Sequence, residues 1–274
     1  MPELPEVQAV VNFLNPIFKN SQIKSISSPN NYHNVFENGS LNDYKNFLKN
    51  KKIKLIWRRG KYIIFNFNNG FLLIHLRMTG QLKLALDVPK DLKYISFKIN
   101  FLDNKKLYFK DVRKFGRVYI KKNINDLNQY LGVEPLSDSF TKDWLYKNLL
   151  VRNRMIKPLL LDQTIIAGLG NIYVDESLWE AGIHPKMISS KITRIKSNRL
   201  FYAIKNILMD SIMFNGTTII NFSYGNNIVG GFQKKLKVFR KNNNPCPKCK
   251  TSILKIFVSQ RGTHFCKRCQ PIKL

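Results

Sequence analysis

The sequence predicts an α+β fold, in which a β-sandwich with a leading helix precedes a helical domain and a small cysteine-bound β-hairpin. Strand-like segments fill most of residues 53–120, amphipathic helical patterns fill most of 141–212, and all four cysteines lie between positions 246 and 269. At 274 residues, 44% of them hydrophobic, the chain is long enough for about two domains with cores of their own. This composition argues against general disorder.

The leading helix is predicted from apolar residues at helical spacing. Val7, Val10, Val11 and Leu14 share one face, and Asn15-Pro16 is expected to stop the pattern. Such a helix would hold the start of the chain against a core.

The β-sandwich is predicted from a series of strand segments. A hairpin is expected at Asn69-Gly70, and the sequence Arg58-Arg59-Gly60-Lys61 is expected to form a basic turn between two strands. A polar stretch, 121–129, then leads to a boundary, so the first domain is predicted to cover 1–132. The predicted strands are 53–57, 62–67, 71–76, 81–85, 94–101, 107–109 and 117–120.

A helical domain is predicted over 133–232. Thr141 is suited to cap its first helix, and the glycines of Gly168-Leu169-Gly170 interrupt a later one, so that Asn171 is placed to cap the next amino end. Backbone N–H groups at such a helix start suit phosphate capture. Helical patterns cover 141–150, 159–162, 172–181 and 200–212, and Arg152, Arg154 and Lys157 form a basic patch.

The cysteines predict a metal-bound third domain over 233–274. Two Cys-x-x-Cys pairs with this separation suit four thiolates around one structural Zn²⁺, and the segment between them can form a hairpin with Arg261 at or near its tip. A redox pair is the alternative interpretation. The predicted zinc ligands are Cys246, Cys249, Cys266 and Cys269.

The charge of the chain indicates a polyanionic partner. Lys and Arg number 46 against 17 Asp and Glu, which gives a net charge of +29. Nucleic acid is the expected partner, although codon usage rich in AT would also add lysine. No apolar run approaches the ~20 residues of a membrane span, so a cytoplasmic protein is expected.

The first residues offer a possible nucleophile. Removal of Met1 would leave Pro2 as a free secondary amine, followed closely by Glu3 and Glu6. Terminal amines titrate near ~8, so an unprotonated fraction exists at neutral pH. The alternative is structural, with Pro5 opening a helix whose positive end the two carboxylates complement.

Five separated motifs resemble the formamidopyrimidine-DNA glycosylase family, whose DNA-binding domain is a helix-two-turn-helix. They are MPELPEV at the start, HLRMTG from His75, DVRKFGR from Asp111, LLLDQTIIAGLGNIYVDESLWEAGIHP around Asn171, and the cysteine tail. Together they run from residue 2 to 270.

The resemblance implies a bifunctional DNA glycosylase and abasic-site lyase. In such an enzyme Pro2 attacks the anomeric carbon, Glu3 protonates the opening sugar and Glu6 supports the site electrostatically. Lys61 and Arg261 are implied in proton transfers during β,δ-elimination. The expected substrates are oxidised purines, 8-oxoguanine and formamidopyrimidines, in duplex DNA during base excision repair.

The resemblance also implies DNA contacts. His75 and Asn171 contact phosphate, Met78 fills the space of the extruded base, Arg113 pairs with the orphaned base and Phe115 wedges the stack. Core packing is the alternative for Met78 and Phe115, and a core or surface role for His75. Residues 217–231 match a loop that closes over the lesion, or a plain connector.

The chain departs from the family pattern at two further expected DNA contacts. Tyr94 stands in Lys93-Tyr94-Ile95-Ser96, where the family often has histidines, and Asn153 replaces a DNA-contacting lysine. Before the cysteines, 238–241 reads Val-Phe-Arg-Lys in place of Tyr-Gly-Arg. These changes bear on affinity and lesion preference.

The expected protein is a monomer acting on damaged double-stranded DNA in the bacterial cytoplasm, associated with the nucleoid when bound. Two other functions stay open. An endonuclease VIII-like enzyme for oxidised pyrimidines typically has glycine where this chain has Leu4. A non-catalytic zinc-ribbon DNA-binding protein would use the charge and the zinc without the amine.

Overall fold

The computed structural model describes residues 1–84, 92–218 and 228–272, which form two compact units. The first unit contains 1–128 and 214–233, and the second contains 129–213 and 234–274. Helices and strands occur in the predicted α+β mixture. Ala85, the last residue of a predicted strand, and the centre of the predicted loop 217–231 lie outside the described residues. Among those described, no helix is long and apolar enough to cross a membrane.

The first unit contains two four-stranded antiparallel sheets with a common core. Their strand orders are β1-β6-β7-β5 and β2-β3-β4-β8, and side chains from both sheets and from α1 join one buried cluster, as a sandwich requires. The elements are α1 Leu4–Phe18, β1 Ile23–Ser27, α2 Leu41–Leu48, β2 Leu55–Arg59, β3 Tyr62–Phe67, β4 Gly70–His75, β5 Gln81–Leu84, β6 Ile95–Phe101, β7 Lys106–Lys110 and β8 Arg117–Lys121.

Helix α1 is longer than the sequence predicts. It continues through Pro16 to Phe18, and because the proline lies in the last turn, only the end of the helix is exposed to its disruption. Asn15, expected to end the helix, instead uses its side-chain oxygen to accept a hydrogen bond from the Ile56 N–H at 2.8 Å. The helix is thereby fixed to β2.

Two turns of the second sheet differ from the predicted ones. Arg58 and Arg59 belong to β2, so the turn to β3 consists of Gly60 and Lys61. The next hairpin turns at residues 68–69, since Gly70 already pairs with Phe67. Gly70 has φ +109°, and a Cβ there would lie 2.6 Å from the Lys121 carbonyl oxygen, so close strand packing explains the glycine.

Strand β1 and helix α2 were missed by the sequence patterns. Strand β1 has a register shift against β6 between Ile23 and Ser25, which breaks the simple alternation that marks a strand. Helix α2 buries only Tyr44 and Leu48, too few for a clear period. Its signal was the start, where Ser40 and Asp43 form a capping box.

The second unit is mainly helical and ends in a β-hairpin. Thr141 caps its first long helix as predicted, accepting a hydrogen bond from Trp144 N at 3.0 Å, and Gly182 ends a later helix in the left-handed region at φ +66°. A short helix, α3 Asn125–Tyr130, spans the sequence boundary between the units. The remaining elements are α4 Lys142–Leu150, α5 Ile156–Leu161, α6 Asn171–Ala181, α7 Arg194–Met213, β9 Leu254–Val258 and β10 Arg261–Phe265.

Candidate functional site

Residues 2–7 are buried in the first unit, with the Glu6 carboxylate oriented by backbone donors. Pro2 is buried, and Glu3 and Glu6 are 3% and 1% exposed. Glu6 Oε2 accepts a hydrogen bond from Glu3 N at 2.8 Å, and Oε1 accepts one from Thr217 N at 2.7 Å. Glu3 is also the N-cap of α1 and Glu6 its third residue, so the two form a capping box with Pro5 in the first turn, as the structural alternative expects. The active-site role stays a prediction, which the burial of both carboxylates beside Pro2 supports.

The base of the predicted lesion loop is built around Glu6. Gly216 has φ +78°, and a Cβ on it would lie 2.7 Å from Glu6 Oε1. Sequence reasoning missed this contact, because it joins residues about two hundred positions apart. Gly216, the glycine that follows the predicted helical segment 200–212, was the available signal.

Lys61 is buried, although it lies in a two-residue turn. Its 6% exposure contradicts the solvated hairpin tip that a basic turn usually forms. Burying an ammonium costs several kcal/mol unless polar partners compensate. The proton-transfer role of Lys61 stays a prediction, and the structure adds that its side chain lies inside the fold.

His75 is held as a neutral imidazole. Burial first, then the charges of Arg77 and Lys61, lowers its pKa to about 3. The Arg77 N–H donates to Nδ1 at 3.1 Å, so the proton resides on Nε2, which can donate to an anion. Tyr62 packs edge-on against the ring at 4.7 Å.

The predicted intercalating side chains meet on the surface of the first unit. Met78 and Phe115 are 46% and 45% exposed, so neither packs in the core. Arg113 lies between them, with Nη1 3.2 Å from Met78 Sδ and its guanidinium 4.7 Å from the Phe115 ring centroid. An apolar pair with a central cation can occupy an opened base step.

Tyr94 and Asn153, the departures from the family pattern, lie in different units. The half-buried Tyr94 has the Lys93 and Lys110 ammonium groups 5.0 and 6.0 Å from its ring centroid. Asn153 is exposed in the loop between α4 and α5, and its side-chain oxygen is 3.4 Å from Ser190 Oγ. Lysine ammonium groups thus lie beside the Tyr94 ring, and Arg152 and Arg154 flank Asn153 in the sequence.

Asn171 holds the hairpin rather than capping its helix. It is the first residue of α6, with Gly170 as the N-cap, so the predicted capping role is wrong. Its Nδ2 donates to the Gly262 carbonyl at 2.9 Å, next to the exposed Arg261. Asn171 Oδ1 is buried without a hydrogen-bond partner in the part of the chain described.

Lys157 is not part of a surface basic patch, as the sequence suggested. Its side chain is fully buried, with Nζ 2.6 Å from Asp175 Oδ1 and 3.2 Å from the Gly262 carbonyl oxygen. Asp175 Oδ2 in turn accepts from His264 N at 2.8 Å. This network fixes the hairpin that carries Arg261.

The four cysteines fit a zinc ion. Their sulfurs lie within 4.8 Å of one another, with Cys246–Cys269 at 3.8 Å and Cys249–Cys266 at 3.4 Å. A tetrahedral zinc with Zn–S bonds of about 2.3 Å separates its sulfurs by about 3.8 Å. Trp179 Nε1 also points at Cys246 Sγ at 3.4 Å, an outer-shell donor suited to a thiolate.

Family models match nearly the whole chain. They are the formamidopyrimidine-DNA glycosylase N-terminal domain over residues 1–118, the formamidopyrimidine-DNA glycosylase H2TH domain over 131–223, and a zinc finger found in FPG and IleRS over 243–272. The last match covers the four cysteines, so both the zinc site and its four ligands agree with the family.

Relatives agree over their full length. The formamidopyrimidine-DNA glycosylase of Pelotomaculum thermopropionicum is 37% identical, with 100% of each chain covered. A crystal structure of a Lactococcus lactis FPG variant with Fapy-dG-containing DNA gives a TM-score of 0.91 at 35% identity, over 99% of this chain and 100% of that one. The Lactococcus lactis Fpg complex with abasic-site DNA gives 0.91 at 36%, over 98% and 100%. This chain belongs to the formamidopyrimidine-DNA glycosylase family.

Proposed function

We propose that this chain is a DNA glycosylase that removes oxidised purines from duplex DNA in base excision repair and then cleaves the abasic strand. The observation that carries the proposal is the buried amino-terminal segment Pro2-Glu3 with the oriented carboxylate of Glu6. A relative bound to Fapy-dG-containing DNA supports the substrate class, and another bound to abasic-site DNA supports the second step.

The chemistry begins when removal of Met1 leaves the Pro2 nitrogen as a secondary amine. The nitrogen attacks C1′ of the damaged nucleotide, the bond from C1′ to the base breaks, and the base departs with the proton that the amine gives up. Glu3 protonates the sugar oxygen as the ring opens, and Glu6 stabilises the cation that forms. The resulting iminium has no N–H to lose, so it remains an electron sink for the next step.

Strand cleavage follows from that sink. Loss of a C2′ proton expels the 3′ phosphate, and a second elimination expels the 5′ phosphate. Lys61 and Arg261 move protons in these steps. The burial of Lys61 supports this role, because an amine held inside the fold is better positioned for proton transfer than one on a solvated turn.

DNA binding is divided between the two units. In the first, His75 donates to phosphate, Met78, Arg113 and Phe115 enter the duplex, and Tyr94 lies beside the backbone. In the second, Asn153 and Asn171 contact phosphate. The hydrogen-bond geometry of His75 and the exposure of Met78 and Phe115 support these roles.

One Zn²⁺ on the four cysteines holds the hairpin in shape. We further propose a monomer working in the bacterial cytoplasm and on the nucleoid, with functional domains at 1–132, 133–232 and 233–274. The TM-scores with Lactococcus lactis Fpg–DNA complexes over nearly the whole chain support one chain per lesion.

Borohydride trapping on duplex with a single 8-oxoguanine tests the mechanism, because reduction of the iminium links protein to DNA covalently. Protein starting at Pro2 should be trapped, and protein with Met1 retained by a tag should bind the duplex without trapping. Trapping of the blocked protein would refute the amine. Trapping only on oxidised pyrimidines would indicate the endonuclease VIII-like function, and binding with no trapping at all would indicate a non-catalytic protein.

A further inference from the structure

Asp111 is a fully buried residue at the end of β7, and its carboxylate accepts hydrogen bonds from two backbone N–H groups. Its Oδ2 accepts from Gly116 N at 2.6 Å, and Oδ1 accepts from Arg113 N at 3.2 Å. Both donors belong to residues 111–116, the Arg113 loop. Alone, these bonds would describe an ordinary aspartate-capped turn.

A second loop joins the same carboxylate. Thr79 belongs to residues 76–80, the Met78 loop, and its hydroxyl donates to Asp111 Oδ1 at 2.5 Å. The hydroxyl oxygen also accepts from Arg113 N at 3.1 Å. A turn cap needs no partner from elsewhere, so Thr79 makes this arrangement a cross-link between two loops.

The two loops also rest on one buried ring, that of Phe109. A Cβ on Gly80 would come within 2.8 Å of its Cζ, and a Cβ on Gly116 within 2.3 Å. A side chain at either glycine would therefore clash with the ring, which is stacked on Phe97 at 5.0 Å, and one at Gly80 would also clash with the Leu76 carbonyl oxygen at 2.5 Å. The two loops therefore share two supports, the Phe109 ring and the Asp111 carboxylate.

The exposed side chains of the two loops lie close in sequence to the residues of this cross-link. Arg113 contacts both Met78 and Phe115 at the surface, and each of the three is one or two residues from a member of the cross-link. Side chains held in their bound arrangement lose less conformational entropy when they insert.

We propose that Asp111 and Thr79 are positioning residues that make the two loops a single rigid wedge, which enters the duplex as one body. This inference rests on the proposed function and deepens it, since it assigns the residues that prepare base extrusion. Neither residue touches DNA in this assignment.

The variant that isolates the cross-link is Thr79→Val, which keeps the side-chain shape and removes the hydroxyl. Thr79→Ser restores the hydroxyl and serves as the rescue. Ser21→Ala is the matched control, because Ser21 Oγ donates to the Asp103 carboxylate at 2.9 Å in the same unit, at the opposite end of β7. Comparison of the melting temperatures of Thr79→Val and Ser21→Ala separates general destabilisation from loss of the wedge.

The readout is a ratio of two rates under single-turnover conditions. Base removal from 8-oxoguanine duplex should slow about tenfold in Thr79→Val, because the buried Asp111 carboxylate loses a hydrogen bond and the two loops lose their cross-link. Cleavage of a preformed abasic site should change less than about twofold, because no base must be extruded. Thr79→Ser and Ser21→Ala should match the wild type on both substrates.

Hydrogen exchange without DNA gives a second measurement that does not depend on activity. In Thr79→Val the amides of both loops, 77–80 and 112–116, should exchange faster together. Wild-type protein that leaves lesion duplex uncut would refute the proposed function and the wedge with it. If the wild type acts, equal slowing on both substrates, no slowing, no rescue by serine, or faster exchange in only one loop would each refute the wedge alone.

Discussion

The carboxylate of Glu6 accepts a hydrogen bond from the backbone N–H of Thr217 at 2.7 Å, which ties the predicted active site to the base of the predicted lesion loop. The same carboxylate holds Glu3 N at 2.8 Å. One buried group thus sets the position of the terminal segment and of the residue where 217–231 begins. A displacement of the terminal segment is therefore expected to displace Thr217, and a displacement of Thr217 to displace the terminal segment.

Gly216→Ala tests this coupling. The residue has φ +78°, and the new Cβ would approach Glu6 Oε1 to 2.7 Å, so backbone strain and a clash should lower the free energy of unfolding by about 1–3 kcal/mol. Gly231→Ala is the matched control, since its Cβ would meet Phe214 only at an ordinary 3.7 Å. Calorimetry of both variants checks the stability, and base-removal rates check the coupling. Equal stability and equal base-removal rates in the two variants would contradict the coupling.

Glu3→Gln should separate the two chemical steps. Base removal needs a proton for the opening sugar, so it should fall about a hundredfold or more, within the range of general acid catalysis. Cleavage of a preformed abasic site should persist substantially, because the base has already left. Parallel assays on lesion duplex and abasic duplex measure both, and equal losses would remove Glu3 from its assigned role.

The lowered pKa of His75 predicts a pH-dependent stability. The folded pKa, about 3, is below the unfolded value of 6.5, so the unfolded state binds the extra proton. The contribution of neutral His75 is fully present above about pH 6.5 and declines as the pH falls toward 3. Between pH 7.5 and 5.5 the loss should be about 1 kcal/mol. Denaturation of wild type and His75→Gln at both pH values measures it, and identical pH dependence in the two proteins would show that His75 is not the source.

The sequence was sufficient for features that are local or strictly spaced. The cysteine pairs, the cap at Thr141 and the face of α1 each depend on residues within a turn or two, or on a fixed motif. The sequence could not identify contacts between residues that are far apart along the chain. Nothing in the sequence marks Lys157 as buried, because its partners are Asp175, on another helix, and Gly262, over a hundred positions away.

Lys61 shows the same limit of sequence-based prediction at a turn. A basic residue in a tight turn is normally exposed, and only the packing of the folded unit buries this one. The hairpin at 68–69 was placed one residue late because the glycine signal is ambiguous: Gly70 serves close packing against Lys121 and does not form the turn itself. Local chemistry identifies such residues, and tertiary structure decides their use.

The zinc-bound hairpin should depend on its metal for folding. Its small core contains Trp179, Val238 and Ile253 packed around the buried cysteines, so metal binding should supply most of its folding energy. Chelation or Cys266→Ser should unfold 246–269 and expose the indole of Trp179, which is 3% exposed in the fold. A red shift of tryptophan fluorescence that is absent in Trp179→Phe would report this. Full activity in zinc-free protein would contradict the prediction that the hairpin needs its metal to fold.

Arg261 should act through that hairpin as a positioned phosphate contact. Arg261→Ala is expected to weaken binding to lesion duplex and to lower the slope of log affinity against log salt by about one, because one phosphate contact is lost. Lys255→Ala removes one exposed charge from the same hairpin and is the matched control, with little change in the slope. Zinc content should stay unchanged in both variants, which separates a missing contact from an unfolded ribbon. Strand cleavage should slow in Arg261→Ala even at saturating protein, since the arginine is assigned a proton transfer as well as a contact. If Arg261→Ala binds and cleaves as the control does, the hairpin is only a structural support.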